Sequence, residues 1–246
     1  MGKVFYGGGK PVMKRPSVDI QASELAVGST VKLMFTAAET DFIVVHKGKP
    51  SSIYDDSCDG LWLLMKNVYQ ERQLNSNGTN YYHSSELNTW LNGDFLDLFD
   101  AAVKNAVKQV KIPCRMFSGR NLADLSGANG LSTKVFVLSC YELGWTKDNN
   151  DYLPLDGAKL DYFDAGTGSS ANQKRIALYD GVANRHWTRS LYASGNDKYH
   201  IWNVWANGTY GTATGSGEGY YGVRPALILP HNTIFDSNTL VCKGVG

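Results

Sequence analysis

The chain has no long apolar run and no excess of charge of either sign. Its 246 residues carry 24 Lys and Arg against 23 Asp and Glu, a formal net charge of +1. Such a weak field argues against a nucleic-acid partner and gives no attraction to an anionic membrane surface. No segment has the pattern of a signal peptide or a membrane span. We therefore expect cytoplasmic synthesis without a signal peptide, no membrane insertion and no binding of nucleic acid.

The chain also lacks the spacings of metal and catalytic motifs. It has four scattered cysteines without CxxC or CxxH spacing, which predicts reduced thiols and not a zinc site: Cys58, Cys114, Cys140 and Cys242. None of the five histidines lies in an H-E-x-x-H motif. There is no G-x-S-x-G elbow and no phosphate-binding glycine loop between a strand and a helix. We expect no catalytic residues, no metal site and no cofactor, so the protein is not predicted to be an enzyme.

The patterning that is present predicts an α+β fold with two helices and small antiparallel sheets. Residues 27–35 and 41–48 form a predicted hairpin around AAETD, and four further predicted strands are 60–69, 134–144, 175–180 and 222–230. Residues 145–172 are polar and rich in Gly, Asp and Asn, which is typical of a long surface loop. We expect residues 1–18 to be a flexible leader and residues 19–246 to be a single domain.

Two helices are predicted between residues 84 and 110. Ser84 or Ser85 can cap a first helix that places Leu87, Trp90 and Leu91 on one face. After Gly93, Asp94 can cap a second helix. Its apolar positions recur at helical spacing through four turns: Phe95, Leu98, Phe99, Ala102, Val103, Ala106, Val107 and Val110. Pro113 prevents any continuation of this helix.

The segment 184–221 has the composition of a recognition surface. It contains three Trp, five Tyr, four Asn and six Gly, but no Phe, Met, Cys or Pro. Tyr and Trp supply stiff contact area, while Ser, Gly and Asn supply adaptable hydrogen bonds, as in antibody paratopes. In a strand over 200–206, Ile201, Asn203 and Trp205 would share one face, and His200, Trp202, Val204 and Ala206 the other, which is the better candidate for the core.

Two motifs flank this composition change. They are Trp187-Thr188-Arg189-Ser190 and Gly222-Val223-Arg224-Pro225-Ala226. With GLWLL and KVFVLSCYELGW upstream, they resemble a bacterial and phage family of unknown function with the C-type lectin fold. The resemblance covers roughly residues 19–232 and departs from the family pattern at Thr188, where Leu is usual. Members include variable proteins of diversity-generating retroelements, functionally akin to the phage major tropism determinant.

This resemblance implies that residues 184–221 are a variable, non-catalytic ligand-binding region on a fixed C-type-lectin-like frame. The implied ligand-binding residues are His186, Thr188, Tyr192, Asn196, Asp197, Tyr199, His200, Asn203, Trp205, Asn207, Tyr210, Thr212, Glu218 and Tyr220. The implied scaffold residues are Trp187, Arg189, Trp202 and Arg224, with the two guanidinium groups satisfied by backbone carbonyls or a carboxylate. The partner would be a bacterial surface protein or glycan.

The protein would then be located on a phage virion, as a tail or receptor-binding component, or on the bacterial surface. Its leader is either a simple tail or an edge strand for self-association or docking on a phage tail structure. Two alternatives stay open, a carbohydrate-binding module of fixed specificity and a relative of formylglycine-generating oxidases without their late cysteine pair. Calcium-dependent sugar binding is disfavoured because Trp202-Asn203-Val204 lacks the acidic third residue of the animal-lectin motif.

Overall fold

The structure, a computed structural model, describes residues 18–116, 125–193, 199–214 and 220–246. The strands of this part are β1 (Asp19–Gln21), β2 (Thr30–Phe35), β3 (Ala38–Lys47), β4 (Leu61–Met65), β5 (Gln70–Arg72), β6 (Val110–Ile112), β7 (Leu131–Thr133), β8 (Val135–Phe136), β9 (Ala177–Tyr179), β10 (Val182–Asn184), β11 (His186–Leu191), β12 (His200–Val204), β13 (Tyr210–Thr214), β14 (Tyr221–Val223), β15 (Ala226–Leu229), β16 (Thr233–Asp236) and β17 (Cys242–Val245). The α-helices are α1 (Glu86–Leu91), α2 (Ala101–Ala106) and α3 (Ser169–Arg175). Most of the predicted leader, residues 1–17, lies outside the described residues.

Two five-stranded sheets organise this part of the molecule. One has the strand order β2-β3-β4-β15-β8, and the other has the order β13-β12-β11-β14-β5. Neighbouring strands are antiparallel except for the β11–β14 pair, which is parallel. Small two- and three-stranded sheets complete the described strands. The predicted α+β class is therefore confirmed.

The first sheet supplies the centre of the core. All five residues of β4 are buried, and β15, which pairs with it, is also fully buried. These strands read LWLLM and ALIL because a strand covered on both faces needs apolar residues at every position. The predicted hairpin is confirmed as β2 and β3, but its turn is Thr36 and Ala37, and residues 38–41 of the predicted turn AAETD belong to β3. Both turn residues have positive φ angles, as a two-residue hairpin turn requires.

The first predicted helix is confirmed, but the second is wrong as a continuous element. Ser85 caps α1, and its Oγ accepts a hydrogen bond from the Asn88 N–H at 3.0 Å. The stretch 94–110 divides into a 3₁₀ turn (Leu96–Leu98), α2 and β6. Phe99 is extended, and Asp100 caps α2 by accepting from the Val103 N–H. Capping chemistry and sheet pairing thus override a hydrophobic stripe that is compatible with a helix.

Residues 145–172 are not the surface loop that their polarity predicts. Trp145, Leu153, Leu160 and Phe163 are buried in the core, and α3 begins at Ser169. The segment 134–144, predicted as a strand that leads into a turn, forms a strand only at residues 135–136, and the turn follows at 140–144. Sparse apolar side chains are enough to anchor an irregular segment when each of them fills a core position. The four cysteines are free and buried, as expected for reduced thiols.

Candidate functional site

Strand β11 is the middle strand of the second sheet, and all six of its residues are buried. Its Trp187 indole N–H donates a 2.7 Å hydrogen bond to the Arg72 carbonyl on β5. The ring packs edge-on against Tyr221, with 4.6 Å between the ring centroids. The indole is therefore held by its polar edge as well as by its apolar faces, and it links β11 to β14 and β5.

Arg189 lies at the centre of a buried ion-pair network. Its Nη1 and Nη2 donate to the two carboxylate oxygens of Glu142 at 2.6 and 2.5 Å, a bidentate pair with both side chains fully buried. The remaining donors bind the backbone carbonyls of Pro113, Val137 and Asp156. Burial opposes the charge on Arg189, but the Glu142 carboxylate outweighs it and raises the pKa of the guanidinium.

The Glu142 carboxylate accepts two further hydrogen bonds, so the network extends beyond the ion pair. The Tyr54 hydroxyl donates to Glu142 Oε1 at 2.8 Å, and the Ser139 N–H donates to Oε2 at 2.9 Å. A second buried contact runs beside it, in which the Ser190 hydroxyl donates to Asp156 at 3.1 Å and accepts from the Cys140 N–H. The irregular segment 137–158 is thereby fixed to β11.

Arg224 holds the end of β14 through the backbone alone. Its guanidinium donates to the carbonyls of Met65, Lys66 and Arg175 at 3.0, 3.1 and 3.2 Å. Burial lowers the pKa of Arg224 to about 10, still well above neutral pH. A Cβ at Gly222 would meet the Arg185 carbonyl oxygen at 2.7 Å, so this motif position admits glycine alone. The predicted burial of Trp187, Arg189, Trp202 and Arg224 is confirmed.

Three aromatic residues of the predicted ligand-binding set are exposed, and we call them the display residues. Tyr199 is 49% exposed, Trp205 44% and Tyr220 63%. Because β12 runs antiparallel to β11 and β14 runs parallel to it, Trp205 and Tyr220 lie at one end of the second sheet. Tyr199 lies at the opposite end, beside the point where β11 ends. We call these two ends the Trp205 end and the Tyr199 end.

The Trp205 indole is held in place although it is exposed. Its pyrrole edge occupies the space that a Cβ would need at Gly211, so the ring packs against the backbone of β13. The Arg185 guanidinium carbon lies 5.4 Å from the centre of this ring and 5.8 Å from that of Tyr221. A ring clamped between a strand and a cation loses little conformational entropy on binding, which favours a contact role. Asn207, in the same turn, is exposed as predicted.

Half-buried residues of the predicted set form a ring cluster that extends from Tyr192, at the Tyr199 end, to Tyr210, which pairs with Val204 toward the Trp205 end. Tyr192 packs on Tyr152 and Trp202, and Tyr210 packs edge-on against Trp202 and Trp145. His200 is also half-buried, and Thr212 is exposed. The Tyr210 hydroxyl donates to the Asn149 carbonyl at 3.0 Å. This cluster attaches the segment 145–153 to the sheet, which leaves these tyrosines only partly available to a partner.

Three predicted ligand-binding residues are corrected by the structure. His186, Thr188 and Asn203 are buried, because neighbouring segments cover both faces of β11 and β12. The Thr188 hydroxyl donates to the Trp202 carbonyl at 2.7 Å, so the departure from Leu in the motif is accommodated by a hydrogen bond. Burial, aided by the charge of Arg224, lowers the pKa of His186 to about 3, which keeps the imidazole neutral.

Because both faces of β12 are covered, the expectation that residues 200–206 have one buried face and one exposed face is wrong. Ile201 and Asn203 are buried together with Trp202 and Val204. Alternation would have been diagnostic only if one face of the sheet met solvent. The remaining predicted contacts, Asn196, Asp197 and Glu218, lie outside the described residues.

The buried position of Asn203 can be tested by substitution. It is 1% exposed, and among the described residues neither its Oδ1 nor its Nδ2 has a hydrogen-bond partner. A buried polar group without partners costs about 1–3 kcal/mol. We expect Asn203→Leu to raise the free energy of unfolding, measured by denaturant titration.

Asn92 is the matched control for this substitution. Its Oδ1 accepts from the Thr133 hydroxyl and from two backbone N–H groups, those of Lys134 and Val135, while its Nδ2 donates to the Val135 carbonyl. Asn92→Leu should therefore lower the free energy of unfolding by about 2–4 kcal/mol, since two backbone donors lose their acceptor. A loss of stability in Asn203→Leu as large as in Asn92→Leu would contradict the assignment of Asn203 as unpartnered.

Several residues of the site are absent from the sequence-based set. Arg185 lies over the Trp205 ring, Tyr221 and the Arg72 carbonyl contact Trp187, and Glu142 completes the Arg189 pair. Arg185 could have been found because it precedes the W-T-R-S motif within the aromatic-rich segment. Glu142 carries no such signal, since the pairing joins positions 47 residues apart in sequence.

Two negative findings concern only the described part of the chain. There, no group of three or more His, Cys, Asp or Glu side chains is placed to hold a metal ion. In the same residues, no helix combines the length and the hydropathy needed to cross a bilayer.

Comparison with known proteins gives one match. A family model described as a domain of unknown function (DUF6273) matches residues 59–231. No curated protein and no solved structure matches the chain. The matched range begins just before β4 and ends just after β15, so it includes the whole second sheet and both flanking motifs.

Proposed function

The chain belongs to the DUF6273 family, and we propose that it recognises a ligand without catalysing a reaction. The observation that carries this proposal is the contrast within residues 184–221. Trp187, Arg189 and Trp202 are buried, whereas Tyr199, Trp205 and Tyr220 expose large ring areas. Exposed Trp and Tyr on a rigid support are the residues that most often dominate binding energy.

A surface whose side chains vary requires a sheet that keeps its geometry without them. A bidentate buried ion pair, three backbone bonds to Arg224 and a fixed indole at Trp187 hold the second sheet without using the display residues. Side chains at the sheet ends can therefore change while the frame keeps its geometry. This separation supports a C-type-lectin-like variable protein of the retroelement-diversified kind.

The proposed ligand is a protein or glycan on a bacterial surface, and the proposed location is a phage tail or the bacterial cell surface. The near-neutral net charge of +1 suits such contacts better than nucleic acid. The runner-up, a carbohydrate-binding module of fixed specificity, uses the same surface and differs in whether the codons for 184–221 vary.

Binding to whole bacterial cells tests the proposal. We expect the fluorescently labelled protein to bind a subset of strains in a panel, and one of two variants to lose most of that binding. The first variant, Trp205→Ser with Tyr220→Ser, removes both exposed rings at the Trp205 end. The second variant, Tyr199→Ser, removes the exposed ring at the Tyr199 end. Loss of a dominant contact of this type costs about 2 kcal/mol or more, roughly 30-fold in affinity.

Val245→Ser is the control, because Val245 is an exposed apolar residue on β17, which belongs to a different sheet. It should leave cell binding unchanged. The proposal is wrong if the protein binds no strain, or if both display variants bind as well as the parent protein. Sequencing of the flanking DNA then separates the two readings. A reverse-transcriptase gene and a near-copy of the codons for 184–221, differing at adenines, would identify the diversified class.

A further inference from the structure

A cavity of about 250 Å³ lies in the first sheet, where β4 ends and the β2–β3 hairpin continues. Phe42 pairs with Met65, the last residue of β4, so residues 38–41 of β3 project beyond that strand. The volume is just below the range of drug-sized sites, about 300–1,000 Å³, which suits an occupant of a single ring. We call this cavity the notch, and its lining comes from the two segments 35–41 and 65–69: Phe35, Thr36, Thr40, Asp41, Met65, Lys66, Asn67, Val68 and Tyr69.

The walls of the notch are held by hydrogen bonds from outside it. The buried Arg224 guanidinium donates to the carbonyls of Met65 and Lys66. The Val68 N–H donates to a carbonyl of β9 at 2.9 Å, and the Lys66 N–H donates to the Asp41 carbonyl at 3.0 Å, which joins the two segments. A cavity with walls fixed in this way loses little conformational entropy when a ligand binds.

The two charged groups of the notch neutralise each other. The Lys66 ammonium donates to Asp41 Oδ2 at 3.1 Å, so the lining has no net charge. The other carboxylate oxygen remains as an acceptor, and the ammonium keeps further donors. A charged occupant would lose water without gaining a free counterion, so the pairing favours a neutral one.

Three uncharged polar groups in the lining are left for a ligand. Within the described part of the chain, the Thr40 hydroxyl, the Asn67 amide and the Tyr69 hydroxyl make no hydrogen bond. Each of these groups can both donate and accept. The rings of Phe35 and Tyr69, 5.1 Å apart between centroids, add an apolar surface for C–H groups. The lining therefore matches a molecule that carries hydroxyl groups around an apolar ring face.

The hairpin turn beside the notch has an unfavourable sequence for its conformation. Thr36 and Ala37 have φ angles of 51° and 60°, at positions where Asn and Gly are preferred. A β-branched residue is rare in this region, and such strain is concentrated at ligand-binding segments. The turn is fixed because the Thr36 N–H donates to the Leu98 carbonyl at 2.8 Å. The strained residue thus forms one wall of the notch.

We propose that the notch is a second binding site, which takes one neutral pyranose residue of a glycan. A pyranose unites the required features, because its hydroxyl groups both donate and accept and its C–H face is apolar. The hydroxyls bind Asp41, Thr40 and Asn67, and the ring packs against the aromatic floor. No lining residue belongs to 184–221, so this site does not depend on the recognition function proposed above.

Methyl glycosides test the site on the full chain. In an NMR titration with the methyl α-glycosides of D-glucose, D-galactose and D-mannose, we expect at least one to shift the amide signals of Thr40, Asn67 and Tyr69. D-glucuronate and D-glucosamine, which carry a charge, should bind at least about tenfold more weakly. N-acetylalanine methylamide, a peptide analogue, should also bind at least about tenfold more weakly.

Two variants remove ligand contacts without removing contacts within the protein. Asn67→Ala and Thr40→Val should each weaken glycoside binding by roughly three- to tenfold, the effect of one neutral hydrogen bond. Asn105→Ala is the matched control, because Asn105 is exposed on α2, and it should leave binding unchanged. The site is overturned if no glycoside shifts these signals, if the charged sugars or the peptide analogue bind as tightly, or if both variants bind as well as the parent protein.

The display variants separate this site from the recognition surface. Trp205→Ser with Tyr220→Ser, and Tyr199→Ser, should bind the glycoside as tightly as the parent protein. If they lose the glycoside while Asn67→Ala and Thr40→Val keep it, the sugar binds at the display residues, and the notch is not the site. Glycoside binding in the notch without any binding to cells would instead leave the notch standing and overturn the recognition function.

Discussion

Replacing Arg189 by methionine is expected to lower the free energy of unfolding by about 3–5 kcal/mol. The substitution leaves the Glu142 carboxylate fully buried without its cation, and three backbone carbonyls lose their donors. Denaturant titration followed by tryptophan fluorescence measures the loss. If the variant does not fold, its absence from the soluble fraction is the same result in stronger form.

The pair itself is tested by removing both charges. Arg189→Met with Glu142→Leu should recover part of the lost stability, because neither ion then remains unpaired in the interior. Lys32→Met, which breaks an exposed ion pair with Glu39, is the control and should leave the unfolding midpoint essentially unchanged. An Arg189→Met protein as stable as the parent would show that the network is not part of the frame.

Replacing Trp187 by alanine is expected to cost about 3–5 kcal/mol, as for other buried aromatic residues. The substitution removes a 1% exposed ring that packs on Tyr221, together with the hydrogen bond to the Arg72 carbonyl. The combined replacement of the three display residues by serine should cost about 1 kcal/mol or less, because exposed side chains contribute little to stability.

The comparison of the Trp187→Ala variant with the triple serine variant checks whether Trp187 supports the fold and the display residues do not. Thermal or denaturant unfolding under identical conditions gives both values. Asn203 and Tyr210 are left out of the display variant, since the first is buried and the second packs on Trp145 and Trp202. Equal losses in the two proteins would mean that Tyr199, Trp205 and Tyr220 also support the fold.

Local sequence was sufficient to predict an element wherever one physical rule determined its structure. The hairpin of β2 and β3, the cap of α1 at Ser85 and the buried strand β4 follow from strand, capping and burial patterns within about ten residues. The single helix predicted over 94–110 was wrong because its apolar pattern extends over three separate elements, a 3₁₀ turn, α2 and β6. Asp100 restarts the helix, and Val110 joins a sheet whose partner strand begins at Leu131.

The candidate site divides in the same way. Composition singled out residues 184–221, and the burial of Trp187, Trp202 and the two motif arginines follows from their apolar neighbours. The exposure of Asn203 was predicted wrongly, because alternation indicates solvent only for a strand with one wet face.

The sequence by itself determined the α+β class and the segment that carries the large exposed rings. These properties depend on side-chain type and short spacing, which a linear chain contains in full. Only the tertiary structure decided that Glu142 neutralises Arg189 and that Trp205 and Tyr199 lie at opposite ends of one sheet. The ion pair joins residues that are distant along the chain, and the sheet places two residues that are close along the chain at opposite ends. Both arrangements depend on how the strands pair, which short sequence patterns do not specify.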